Sequence, residues 1–142
     1  MQRFEDLSIW QRSRKAALAI YRWTKALPSD ERFGLTSQLR RAAVSVPTNI
    51  AEGCHRFHNT DFARFLNIAE GSLGELRSLI WVALDLEYGS AEDGRALLQE
   101  VRQLSAMVYR FRQTVEARGS ARPDTAESEM AKGADTARSA AP

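Results

Sequence analysis

The sequence predicts an all-α protein: an antiparallel up-down-up-down four-helix bundle with a disordered C-terminal tail. Three observations predict it. Apolar residues recur at three- and four-residue spacing over four stretches, and no stretch keeps the alternation of a strand. Breaker and capping residues separate those stretches by short intervals. Residues 119–142 hold no aromatic residue and only one large apolar side chain, Met130, so they have little to bury. The expected division is a bundle domain over residues 1–118 and a tail over 119–142.

In the first helix, Leu7, Trp10, Ala17, Tyr21 and Thr24 fall on one face, Asp6 is the expected N-cap, and Leu27-Pro28 ends the segment. The second puts Leu35, Leu39, Ala42, Val46 and Ile50 on one face, with Thr36 or Ser37 as cap. Pro47 removes a backbone hydrogen bond to Ala43 and predicts a kink, and Gly53 is placed to end the helix. The third runs from Asn59-Thr60 to about Tyr88-Gly89, with Phe62, Phe65, Ala69, Leu73, Leu76, Ile80, Ala83 and Leu86 as its seam. Gly71 and Gly74 lie inside it, each costing about 1 kcal/mol against alanine, which predicts close helix approach there. The fourth opens with a near-capping box, Ser90-Ala91-Glu92-Asp93, and closes at Gly119. Its seam is the cleanest: Leu97, Val101, Leu104, Val108, Phe111 and Val115.

The first helix has more apolar residues than one stripe requires. Leu7, Trp10, Ala17, Leu18 and Tyr21 fill one arc, while Ile9, Ala16, Ile20 and Trp23 fill a second. Ile68, Trp81, Val82 and Leu84 likewise lie off the seam of the third helix. With Trp23 and Trp81 expected at the surface, these residues predict self-association through a second face.

Composition narrows the function classes. The chain has 142 residues, 44% hydrophobic and 27% charged, as in ordinary globular domains. One cysteine, Cys54, excludes an internal disulfide framework and fits a cytoplasmic location. The longest apolar run, Leu79 to Leu84, is too short for a membrane span, and the start of the chain lacks the apolar core of a signal peptide. Glu52 and His55 have di-iron spacing, but His55 and His58 are the only histidines and no second such motif exists. Cys54, His55 and His58 read better as a polar loop than as an incomplete metal site. No catalytic residue, metal or cofactor is therefore expected.

Charge is more informative once divided. Residues 1–58 carry ten Arg and Lys against five Asp and Glu, and residues 59–118 carry seven against nine. Arg12, Lys15 and Arg22 share the polar sector of the first helix, Arg40 and Arg41 lie in the second, and Arg56 follows it. These six are the candidate nucleic-acid contacts, suited to phosphate backbones because no base-reading motif is present. The alternative is a solvated face paired internally to residues such as Glu52 or Glu70.

Phe4-x-Asp6-Leu7-x-x-Trp10-Gln11, Tyr21, the run from Phe33-Gly34-Leu35 through Gln38-Leu39-Arg40-Arg41-Ala42-Ala43 and Ser45-Val46-Pro47 to Asn49-Ile50-Ala51-Glu52-Gly53, and Phe62-x-x-Phe65-Leu66-x-Ile68-Ala69-x-Gly71-Ser72-Leu73-x-Glu75-Leu76 carry a resemblance. Over roughly residues 2–117 the chain resembles the four-helix bundle proteins of the 23S ribosomal RNA intervening-sequence family. It is also similar to the accessory variability proteins of diversity-generating retroelements. The resemblance implies a bacterial bundle assembling as a homo-oligomeric ring, commonly a pentamer, and in the latter proteins nucleic-acid binding beside a reverse transcriptase. Gln38, Arg41, Ser45, Asn49 and Glu52 then form a possible polar ladder, either holding the Pro47 region with Arg40 or Arg41 paired to Glu52, or lining a contact. The expected function is a non-enzymatic, oligomeric, nucleic-acid-associated protein. The alternative is a protein-interaction scaffold docking a partner enzyme such as a reverse transcriptase.

Overall fold

The structure is a computed structural model that describes residues 2–119. Helices α1 (Ser8–Thr24), α2 (Leu35–Cys54), α3 (Asn59–Asp85) and α4 (Ala91–Ala117) follow in order, with single 3-10 turns at Phe4–Asp6 and Ser29–Glu31 and no strand among the described residues. Each helix packs on its chain neighbours, and α1 closes on α4 without diagonal contacts, which is the up-down-up-down bundle. Apart from Gly119, the segment read as a tail over 119–142 lies outside the described residues.

Ile20, Leu39, Ile50, Leu66, Leu73, Leu76, Ile80 and Leu104 are the largest side chains fully enclosed by the four helices. The α2 and α4 seams are buried as spaced, except that Phe111 is only half-buried. In α3, Leu86 falls just beyond the helix and is exposed.

α1 is turned relative to expectation. Ile9, Ser13, Ala16, Ala17, Ile20, Trp23 and Thr24 face the core, while Leu18 and Tyr21 face out. Two polar residues tolerate this burial because each satisfies itself locally: Ser13 Oγ donates to Trp10 O at 2.9 Å, and Thr24 Oγ1 to Ile20 O at 2.7 Å. Trp23, expected at the surface, is buried, its Nε1 donating to Ser90 O at 3.1 Å. Its ring lies against Gly94, where a Cβ would come 2.9 Å from Trp23 Cζ2 and 2.7 Å from Leu84 Cδ2.

Helix boundaries differ where side chains from elsewhere intervene. Asp6 does not cap α1; it belongs to the first 3-10 turn, whose Phe4 ring packs edge-on to Trp10 at 5.0 Å and to His55 at 5.6 Å. Neither Thr36 nor Ser37 caps α2, because Glu31 reaches the first turn and accepts from Leu35 N at 2.8 Å. α2 continues through Pro47 to Cys54, so Gly53 does not end it. Gly53 is a point of close approach to α3, where a Cβ would lie 2.7 Å from Phe65 Cβ and 2.8 Å from Phe62 Cδ2. By contrast, a Cβ at Gly71 or Gly74 would meet nothing within 4 Å, so the approach expected at those glycines does not occur among the described residues. The cap of α4 is as read: Ser90 Oγ accepts from Asp93 N at 3.2 Å.

Candidate nucleic-acid interface

Three of the six candidate cations have partners within the chain, two of them between helices and one, Arg56, in an exposed pair at its own helix end. Arg12 bridges α1 to α4: its Nη2 donates to both Glu100 carboxylate oxygens at 2.8 and 2.9 Å and to Gln103 Oε1 at 3.0 Å. Arg40 bridges α2 to α1, donating from Nε to Thr24 Oγ1 at 2.9 Å and lying over the Tyr21 ring at 4.8 Å. Arg56 pairs with Glu52 at 2.9 Å and lies over Phe65 at 4.8 Å. Glu52 is thus taken by Arg56, not by Arg40 or Arg41 as the ladder predicts. Only the middle of that ladder forms: Asn49 Nδ2 donates to Ser45 O at 2.8 Å, and Ser45 Oγ shares a hydrogen bond with Ser72 Oγ on α3 at 2.8 Å.

Lys15, Arg22 and Arg41 are exposed and make no ion pair or side-chain hydrogen bond among the described residues. α1 contains no acidic residue at all. On its outward side Arg14, Lys15, Leu18 and Arg22, with Lys25 immediately after the helix, span an arc of about 100° at 3.6 residues per turn. Arg14 and Lys25 were not marked by the spacing of the apolar seam. The same helical count finds them once Leu18, rather than Lys15, is placed at the centre of the solvent side.

The α2–α3 corner holds a second basic and aromatic group. Arg64 joins Arg56 over the Phe65 ring, 5.4 Å from its centroid, and Phe57 stands out at 77% exposure. Cys54, His55 and His58 do not converge there. Cys54 is buried with Sγ donating to Gln2 O at 3.4 Å, His55 packs on Phe4, and His58 meets Phe57 edge-on at 4.9 Å. No group of three or more His, Cys, Asp or Glu among the described residues is arranged to hold a metal ion.

The α3–α4 face is closed by Arg112, which donates to Glu70 on α3 and to Glu116 Oε1 at 2.7 Å on its own helix. These hydrogen bonds, that to Glu70 foremost, raise the pKa of the guanidinium further above its already high value. Arg112 is a structural cation, unavailable to a ligand without breaking the α3–α4 contact. No described helix is long and apolar enough to cross a membrane.

Comparison with known proteins agrees with this architecture. The chain is similar in structure to a protein of unknown function of the S23 ribosomal protein family from Bacteroides thetaiotaomicron, with a TM-score of 0.68 and 21% identity over 74% of this chain and 95% of that one. At that identity the likeness is one of fold. No curated protein matches the chain. The model of the 23S rRNA-intervening sequence protein family matches residues 5–110, from the first 3-10 turn well into α4. Most of the bundle lies inside that match, and the chain belongs to the 23S rRNA-intervening sequence protein family.

Proposed function

We propose that the protein is a non-enzymatic, cytoplasmic, self-associating bundle that binds nucleic-acid backbones through the outward face of α1, with the exposed Arg41 of α2 contributing. The observation that carries this is the unbalanced α1 surface: Arg14, Lys15, Arg22 and Lys25 are exposed, with no carboxylate in the helix. Such a surface attracts phosphates and releases counterions, so affinity falls steeply with salt. Arg12 and Arg40 support the site from within, holding α1 to α4 and α2 without contacting the ligand. Replacing Lys15, Arg22 and Arg41 together by Glu should weaken binding to RNA and duplex DNA and flatten its salt dependence, read by fluorescence anisotropy across a salt titration. Unchanged binding rejects the surface. No binding by the wild-type protein at low salt rejects the function and favours the scaffold reading.

Self-association rests on α3. Ile68, Trp81 and Val82 are each close to half exposed, and Gly71 and Gly74 leave the same helix flat and open between them. A second copy approaching this face would offset the helical cost of the two glycines. A closed ring is the assembly that the family resemblance implies.

A further inference from the structure

We propose that the α2–α3 corner is a contact for single-stranded nucleic acid, in which a base stacks on Phe57 and the adjoining phosphates meet Arg56 and Arg64. This rests on the nucleic-acid reading above and adds to it the strand form and a second site. Phe57 is exposed at 77% in the short connection between α2 and α3, and the His58 ring meets it edge-on at an interplanar angle of 89°. An edge-on neighbour leaves a ring face open, the surface on which an unpaired base stacks.

The two arginines are set differently from those in the bundle seams. Both guanidinium groups lie over one ring, Phe65, with centroid distances of 4.8 and 5.4 Å, and both side chains remain exposed, so the groups are held in place while their N–H donors reach solvent. Their acidic partners are local and exposed: Glu52 for Arg56 at 2.9 Å, and Asp61 for Arg64 at 3.9 Å. Exposed pairs of this kind are worth little, so a phosphate can replace the carboxylate at small cost. Arg64 also lines a groove of about 390 Å³ between the start of α3 and the end of α4, together with Thr60 and Asn67 and, on the α4 side, the Arg112–Glu116 pair. That volume is at the lower end of what holds a small ligand, and the hydroxyl and amide offer hydrogen bonds to a base edge. In a duplex the bases are stacked on one another and have no free face to offer Phe57.

The test uses the full chain and fluorescently labelled oligouridine, alone and annealed to oligoadenine. Phe57→Ala should weaken binding to the single strand roughly tenfold, the scale of one lost base–aromatic stack, and leave the duplex unaffected. Arg64→Gln should weaken the single strand more than the duplex, and Phe33→Ala, a still more exposed ring just before the other end of α2, should change neither. Equal thermal melting of the variants excludes a folding effect. If Phe57→Ala leaves single-strand binding unchanged, or weakens both forms alike, the corner site is overturned while the α1 reading stands. If the wild-type chain binds neither form at low salt, both are overturned.

Discussion

At Gly53 the backbone of α2 touches α3 so closely that one methyl group decides the packing. Gly53→Ala would gain helix propensity but force a Cβ to within 2.7 Å of Phe65 Cβ, an atom fixed to the α3 backbone. Overpacking of this kind costs about 1–3 kcal/mol, and urea denaturation should show a net loss of stability. Glu87 presents the opposite case. It holds φ at 60° after α3, where its N–H donates to Leu84 O at 3.0 Å and that of Tyr88 to Ala83 O at 3.0 Å. This is the left-handed residue of a helix C-terminus, a position that favours glycine. Glu87→Gly should therefore stabilise the protein by about 1 kcal/mol, seen as a higher melting temperature.

The helices differ in what fastens them. α1 and α4 form the slightest of the four contacts; Arg12 ties them through Glu100 and Gln103, and Trp23 donates to Ser90 at the N-cap of α4. The Arg12 and Glu100 side chains are 34% and 38% exposed, so solvent screens part of the attraction. A double-mutant cycle of Arg12→Ala and Glu100→Ala should give a coupling of about 1 kcal/mol in chemical denaturation. That contact also marks the limit of what the sequence reveals. α2 and α4 were legible because their apolar residues form a single unbroken seam. α1 was not, because Leu18 and Tyr21 are as apolar as the residues that turn inward, while Ser13 and Thr24 are polar and still buried. Periodicity locates a helix but cannot choose between two adjacent apolar arcs. The candidate site was half legible for a related reason. Which arginines remain available depends on carboxylates such as Glu100, 88 residues from Arg12, and no local spacing reports that.

For the whole molecule, the proposed α1 binding face and the proposed α3 assembly face lie on different helices, so binding through α1 and assembly should be separable. Trp81→Glu with Val82→Glu should shift the sedimentation coefficient to that of a single chain while leaving the bundle's helical circular dichroism intact. Gly71→Ala should act in two directions at once: about 1 kcal/mol more helix stability within the chain, and weaker assembly if that face is the contact. A wild-type protein that sediments as a single chain at micromolar concentration would end the assembly reading. The three tryptophans supply the readout from inside the molecule. Trp23 is enclosed, Trp10 is partly covered by the Phe4 ring, and Trp81 is about half exposed. Their emission should resolve into distinct classes: quenching by iodide and a blue shift on concentration report Trp81, and a red shift on denaturation reports Trp23. Unlabelled protein thus carries separate optical probes for the proposed subunit contact and for the α1–α4 closure.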